Sequence, residues 1–124
     1  MRITRRLAAS PEEVWAALTE PESLRRWLSP HGVGALAAGA ELELGLGADA
    51  PVGVRVRAAD PCRLLELDWD TGGDPSAVRF ELRADPGGGT VLVLDHERMD
   101  DPVGMRFMGL WAEALDRLQR ELGR

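Results

Sequence analysis

The sequence predicts an α+β fold in which an antiparallel sheet packs against a long C-terminal helix. Three observations predict it: two helix-start signals near the amino terminus, alternating apolar residues through the middle of the chain, and a helical apolar repeat at its end. A chain of 124 residues is long enough to bury one core and too short for two. We therefore expect one domain, residues 1–124, with a sheet of about six strands.

Composition and charge exclude several functional classes. The 15 basic and 21 acidic residues give a net charge of −6, which argues against broad binding to nucleic acid or anionic membranes. No stretch is long enough to span a membrane, and the apolar run after residues 1–6 is too short for a signal peptide. One cysteine, Cys62, precludes an internal disulfide, and the two histidines show no zinc-site spacing. We expect a cytoplasmic monomer or homodimer without a metal or cofactor.

The stretch SPEEVWAALTEPESLRRW predicts two short helices in succession. Ser10 as N-cap and Glu13 three residues later form a capping box, with a proline at the first helical position. The same signal recurs around Pro21, with Thr19 as the cap and Glu22 as its partner. Apolar residues at helical spacing follow each cap, namely Val14, Trp15 and Leu18 in the first helix and Leu24, Trp27 and Leu28 in the second.

Strands are predicted on both sides of this helix pair. RITRRLA precedes it, with Arg5 on the same side as Ile3 and Leu7. The later strands each have one apolar face, and DPGGG makes a turn before the last of them, so we expect an antiparallel meander. The apolar rows are Leu42, Leu44 and Leu46; Val52, Val54 and Val56; Leu65, Leu67 and Trp69; Val78, Phe80 and Leu82; and Leu92 and Leu94.

The chain closes with a long amphipathic helix after the Asp101-Pro102 pair. Its first half is apolar over more of its circumference than its second half, which predicts that the first half faces something deeper than a flat sheet. The apolar repeat consists of Phe107, Trp111, Leu115, Leu118 and Leu122, to which the first half adds Met105, Met108 and Leu110.

The order of these elements resembles the helix-grip fold of the START/SRPBCC superfamily. The opening ASPEEVWAALTEPESLRRW resembles the subgroup related to the activator of the 90-kDa heat-shock protein's ATPase, in its Ala-x-Pro-x-x-Val-Trp and Leu-Thr-x-Pro-x-x-Leu-x-x-Trp pattern. DPCRLLELDW, GGTVLVLDH and GLWAEALDRLQREL are also similar to it. The resemblance implies a curved antiparallel sheet around the C-terminal helix, with a cavity between them, and covers nearly the whole chain.

Three functions are compatible with that resemblance. The first is binding of a small hydrophobic or amphipathic molecule in the cavity, as some members of the superfamily do. The second is a polyketide cyclase or aromatase-like enzyme, for which the chain offers no tyrosine and only one reasonable acid/base candidate, His96. The third is a co-chaperone-like contact with a protein partner. We expect binding rather than catalysis, and no catalytic residue is assigned.

Seven residues are predicted to line the cavity. His96 shares a strand face with Leu92 and Leu94, where a neutral imidazole could hydrogen-bond a ligand or act as acid and base, or simply be satisfied structurally. A register shifted by one residue would place Asp95 inside instead. The methionines could shape an adaptable pocket or fill an ordinary core. The predicted ligand-binding residues are Trp27, Trp69, Phe80, His96, Met105, Phe107 and Met108.

Overall fold

A computed structural model describes residues 1–29, 34–45, 51–70, 76–97 and 101–122, with side chains from residue 107 onward in the last segment. The order of elements is the predicted one, and the α+β class is confirmed. The described elements are β1 (Arg2–Leu7), α1 (Pro11–Thr19), α2 (Pro21–Trp27), β2 (Glu41–Leu44), β3 (Val52–Asp60), β4 (Leu64–Asp70), β5 (Ser76–Ala84), β6 (Thr90–Glu97) and α3 (Asp101–Leu122).

The strands form one antiparallel sheet in the order β1-β6-β5-β4-β3-β2. Strands β2 to β6 follow one another as the predicted meander, and β1 pairs with β6 at the far edge. The alternation is regular because each apolar row turns to the face that α3 covers, while the charged residues between them face outward. A bulge between Val56 and Ala58 interrupts the alternation in β3.

Helix α1 begins with the predicted capping box. The Ser10 hydroxyl accepts a hydrogen bond from the Glu13 N–H at 3.2 Å, and the Glu13 carboxylate accepts one from the Ser10 N–H at 3.3 Å. Two N–H groups that the helix leaves without backbone partners are thereby satisfied. The start of α1 is therefore determined by the four residues Ser10 to Glu13, about one helical turn of local sequence.

The second predicted capping box is wrong. Helix α2 has Glu20 as its N-cap, and no side chain hydrogen-bonds to that end of the helix. Thr19 instead remains the last residue of α1, where its hydroxyl donates to the Trp15 carbonyl at 2.8 Å. A threonine hydroxyl satisfied by the carbonyl four residues earlier is not available as a cap. Only the proline at the first helical position of α2 acts as predicted.

Helix α3 lies across the inner face of the sheet and closes the core. Its fully buried stripe repeats at three- and four-residue spacing, as the sequence predicts. Arg5, which interrupts the apolar side of β1, is explained by α3: its guanidinium pairs with Asp116 at 2.5 Å and contacts Gln119. That hydrogen bond holds the pKa of the Asp116 carboxyl below its usual value. The stripe consists of Phe107, Trp111, Ala114, Leu115 and Leu118.

Candidate ligand-binding site

The inner face of the sheet carries a cluster of aromatic rings where β4 and β6 meet α3; we call Trp69, His96, Phe107 and Trp111 the ring cluster. Trp69 lies at its centre, with ring centroids 5.6 Å from His96, 5.8 Å from Phe107 and 5.1 Å from Trp111. The contacts with His96 and Phe107 are edge-to-face, the geometry that aromatic quadrupoles favour. Phe80 extends the cluster through an edge contact with Trp111 at 5.8 Å.

His96 points inward, as its alternation with the leucines predicts, and its side chain is fully buried. The Trp111 indole N–H donates to His96 Nδ1 at 3.0 Å. Nε2 therefore carries the imidazole proton and donates to the Ser76 hydroxyl at 2.8 Å, and that hydroxyl donates to the Trp69 carbonyl at 3.2 Å. Both imidazole nitrogens are occupied, so His96 is held in one tautomer by its neighbours.

The environment of His96 keeps it neutral. Burial lowers the pKa of His96 to about 4, and the positive charge of the chain's amino group acts in the same direction. That amino group donates to the His96 carbonyl at 2.8 Å. Protonation of Nδ1 would also place its N–H against the Trp111 N–H, opposing two donors. Near neutral pH this histidine is therefore a hydrogen-bonding link between β5, β6 and α3.

Trp69 contributes a buried donor. Its side chain is fully buried, and its indole Nε1 has no hydrogen-bond partner within the described part of the chain. A buried N–H without an acceptor is costly, so such groups are uncommon in folded proteins. Sequence reasoning placed Trp69 correctly on the inner face but missed Ser76, whose role depends on the pairing of Ser76 with Trp69 across β4 and β5.

Trp27 and Phe80 are fully buried and lie next to the ring cluster. Their rings meet edge-to-face at a centroid distance of 6.4 Å. The Trp27 indole N–H donates to the Ala17 carbonyl at 2.7 Å, which ties α2 to α1. Arg117 of α3 donates to the Trp27 carbonyl at 3.0 Å. Trp27 therefore anchors the helix pair to α3.

The structure corrects the placement of Met108. Its side chain is 50% exposed, whereas Phe107 beside it is 2% exposed. Successive helical residues differ by about 100° around the axis, so only one of this pair can face the sheet. Met108 does not belong to the interior, and the wide apolar face predicted for the first half of α3 does not extend to it. The side chain of Met105 lies outside the described residues.

Two grooves on the described surface are lined mainly by residues of the outer face of the sheet, and the larger also borders Leu42 and Val54, whose apolar row belongs to the inner face. The larger has a volume of about 550 Å³ and crosses β2, β3 and β4; the smaller, of about 300 Å³, crosses β3 to β6. Acidic and basic side chains alternate across the larger groove, and Arg57 and Asp68 pair within it. None of the predicted ligand-binding residues lines either groove. The larger is lined by Glu41, Leu42, Glu43, Gly53, Val54, Arg55, Arg57, Asp68 and Asp70.

The described residues form neither a metal site nor a membrane-spanning helix. Within the described ranges, no group of three or more His, Cys, Asp or Glu side chains could hold a metal ion. No helix in those ranges is both long enough and apolar enough to cross a membrane. Cys62 is a free thiol in the tight turn between β3 and β4. The functional groups described at the ring cluster are therefore aromatic rings, the His96 imidazole and the Ser76 hydroxyl.

A sheet wrapped on a long C-terminal helix, with two short helices after the first strand, defines a helix-grip protein of the START/SRPBCC superfamily. The family model described as "Activator of Hsp90 ATPase homolog 1-like protein" matches residues 8–123. The chain belongs to that family, and the resemblance inferred from the sequence is confirmed. A comparison with curated proteins finds no match.

Solved structures support the same assignment. Protein MLL2253 from Mesorhizobium loti is 25% identical, with a TM-score of 0.86 over 100% of this chain and 96% of that one. CalU16 from Micromonospora echinospora is 28% identical, with a TM-score of 0.79 over 95% of this chain and 70% of that one. The Aha1 dimer from Colwellia psychrerythraea, 19% identical, shares the fold with a TM-score of 0.84 over 98% and 94% of the two chains.

Proposed function

We propose that this protein binds a small hydrophobic or amphipathic molecule between the sheet and α3, beside the ring cluster. The ring cluster is the observation that carries the proposal. The backbone of α3 comes close to the backbones of α2, β1 and α1. Over the middle of the sheet, the rings of Trp69, Phe80 and Trp111 fill the space between α3 and the strands. We propose that a ligand enters when these side chains turn, while the strands stay paired.

The walls of this space suit an apolar ligand. The inner faces of β3, β4 and β5 present buried aliphatic side chains and rings, the lining that is typical of small-molecule sites. An aromatic or aliphatic ring placed there would meet ring edges, the contacts already made by Trp69 with its neighbours. Every side chain used comes from one chain, so the same site serves a monomer or a homodimer.

Binding is favoured over catalysis by the state of His96. A general base needs a free nitrogen within reach of the proton that it removes. Both nitrogens of His96 are engaged, one by Trp111 and one by Ser76, and the pKa of about 4 keeps the imidazole neutral. The hydrogen bonds of His96 therefore hold the Trp111 ring and the imidazole in place. We propose a cytoplasmic binding protein, consistent with its free cysteine.

Titration with the neutral dye N-phenyl-1-naphthylamine tests the proposal. We expect dye emission to rise on binding and to be excited by energy transfer from tryptophan, because Trp69 and Trp111 lie in the site. Val54 is the direct cross-strand partner of Trp69 and lies on the inner face. Val54→Phe should weaken dye binding by about ten-fold or more, since the added ring occupies the space beside Trp69.

Thr4→Phe is the matched control, because it adds the same ring at an exposed position of β1. Its dye affinity should equal that of the wild type. Circular dichroism verifies that each variant is folded, and Val54→Leu gives a smaller graded loss should Val54→Phe not fold. The proposal fails if the wild type does not enhance dye emission, or if the folded Val54 variants bind as well as Thr4→Phe. A role in surface contacts with a partner protein would then be the better explanation.

A further inference from the structure

The hydrogen-bonding groups of the ring cluster are balanced except for one. Trp111 Nε1, both nitrogens of His96 and the Ser76 hydroxyl form a closed chain that ends on the Trp69 carbonyl. The indole N–H of Trp69 stands outside this chain and has no acceptor among the described residues, although its side chain is 0% exposed. Among these side chains, a ligand can therefore accept a hydrogen bond from Trp69 Nε1. The Ser76 hydroxyl and both nitrogens of His96 already have hydrogen-bond partners.

The rings around Trp69 do not replace an acceptor. Phe107 and His96 meet Trp69 edge-to-face, and Trp111 lies tilted at 5.1 Å. An N–H directed at a ring face gains much less than one directed at an oxygen. The other two fully buried tryptophans show the usual arrangement, since Trp27 donates to a carbonyl oxygen and Trp111 to an imidazole nitrogen. Trp69 is the exception among these three.

We propose that the ligand is a neutral apolar molecule whose polar group is a carbonyl-type acceptor, and that this oxygen accepts the N–H of Trp69. The inference rests on the proposed function and specifies its ligand class. A molecule with an acceptor would supply the hydrogen bond for which the described residues offer no acceptor, whereas a hydrocarbon of the same shape would not. A charged molecule would lose its hydration without gaining an ion pair from the ring cluster.

Two probes with the same ring skeleton test the inference: 1-tetralone, which has a carbonyl, and tetralin, which has none. The wild type should bind 1-tetralone about three- to ten-fold more tightly than tetralin, the effect expected of one neutral hydrogen bond. In Trp69→Phe, which keeps a ring but has no N–H, the smaller ring should lower both affinities by a common factor, and the preference for 1-tetralone should disappear because 1-tetralone alone also loses the hydrogen bond. Calorimetric or tryptophan-quenching titrations give both affinities.

Indole ¹⁵N–¹H spectra measure the chemical shift of the Trp69 N–H directly. If Trp69 only supports the fold, this shift should not respond to the carbonyl of the probe. The Trp69 signal, identified by its absence in Trp69→Phe, should lie upfield in the free protein and move downfield when 1-tetralone binds. Tetralin should not cause that downfield movement. The signals of Trp27 and Trp111 are internal controls, because both donors already have partners.

The outcomes separate the two proposals. Equal affinity for both probes, with the Trp69 signal unmoved by 1-tetralone, overturns the acceptor inference and leaves the binding function standing. A preference for 1-tetralone that persists unchanged in Trp69→Phe also overturns it, because the N–H of Trp69 would then contribute nothing to that preference. Failure of both probes and of the dye to bind the wild type removes the proposed function, and the inference with it.

Discussion

Acidification should destabilise this protein through His96. In the folded state the imidazole accepts a hydrogen bond from Trp111 and donates one to Ser76, an arrangement that only the neutral form can make. A proton added at Nδ1 would face the indole N–H, and the resulting cation would be buried among rings. Burial accordingly lowers the pKa of His96 from 6.5 to about 4.

The sign and size of the effect follow from this shift. Below pH 6.5 the unfolded chain binds a proton at this histidine, while the folded protein does not bind it until about pH 4. The contribution of neutral His96 to the free energy of unfolding is therefore fully present above the unfolded pKa, and it is lost as the pH falls from about 6.5 to about 4. The shift corresponds to about 3 kcal/mol at its acidic end, with most of the loss complete by about pH 4.5. Such a loss is a large part of the stability of a small domain.

Urea unfolding at a series of pH values from about pH 7 to about pH 4.5 measures the effect. His96→Gln, which cannot titrate, should lose about 2 to 3 kcal/mol less than the wild type over this range. His31→Gln gives the contribution of the other histidine, and Asp116, with its lowered pKa, titrates below the window. Parallel loss of stability in the wild type and His96→Gln would refute the argument.

Three further substitutions test the fold by denaturant melts. Ser10→Ala should cost about 1 kcal/mol because α1 loses its cap, and an unmeasurable change would contradict the capping role. Trp111→Ala should cost about 3 to 5 kcal/mol through the cavity left in the core, and a near-neutral effect would show that α3 is docked differently. Gly89 has φ +83° and its added Cβ would lie 2.2 Å from the Leu7 carbonyl oxygen, whereas Gly88, at φ +99°, faces open space. Gly89→Ala should therefore cost at least about 2 kcal/mol more than Gly88→Ala, and equal costs would contradict this packing.

Local sequence was sufficient for most of the fold because the signals are local in physical terms. The capping box of α1 uses groups three residues apart, and the strand faces follow from a period of two. The closing helix is set by its apolar stripe and its length. These features hold whatever the chain packs against, so they could be predicted without knowing the tertiary structure.

Two predictions, the Thr19 cap and the buried Met108, were wrong because two local arrangements were compatible with the sequence. Thr19 could cap α2 or bond back to α1, and the bond to the Trp15 carbonyl prevails. Met108 and Phe107 are both apolar neighbours on α3, and the rotation of the helix against the sheet buries only Phe107. Neither choice is visible in composition or spacing, because each depends on how two elements pack.

In the candidate site, too, local sequence predicts the position of residues but not their contacts. Alternation was enough to place Trp69 and His96 on the inner face, but their chemistry depends on residues that are distant in sequence. Ser76 reaches His96 because β5 lies between β4 and β6, and Trp111 reaches it because α3 crosses that face. These two contacts turn a candidate acid/base into a fixed neutral link. They also leave the Trp69 indole N–H as the donor for which the described residues supply no acceptor, so the chemistry of the proposed site belongs to that N–H rather than to the histidine.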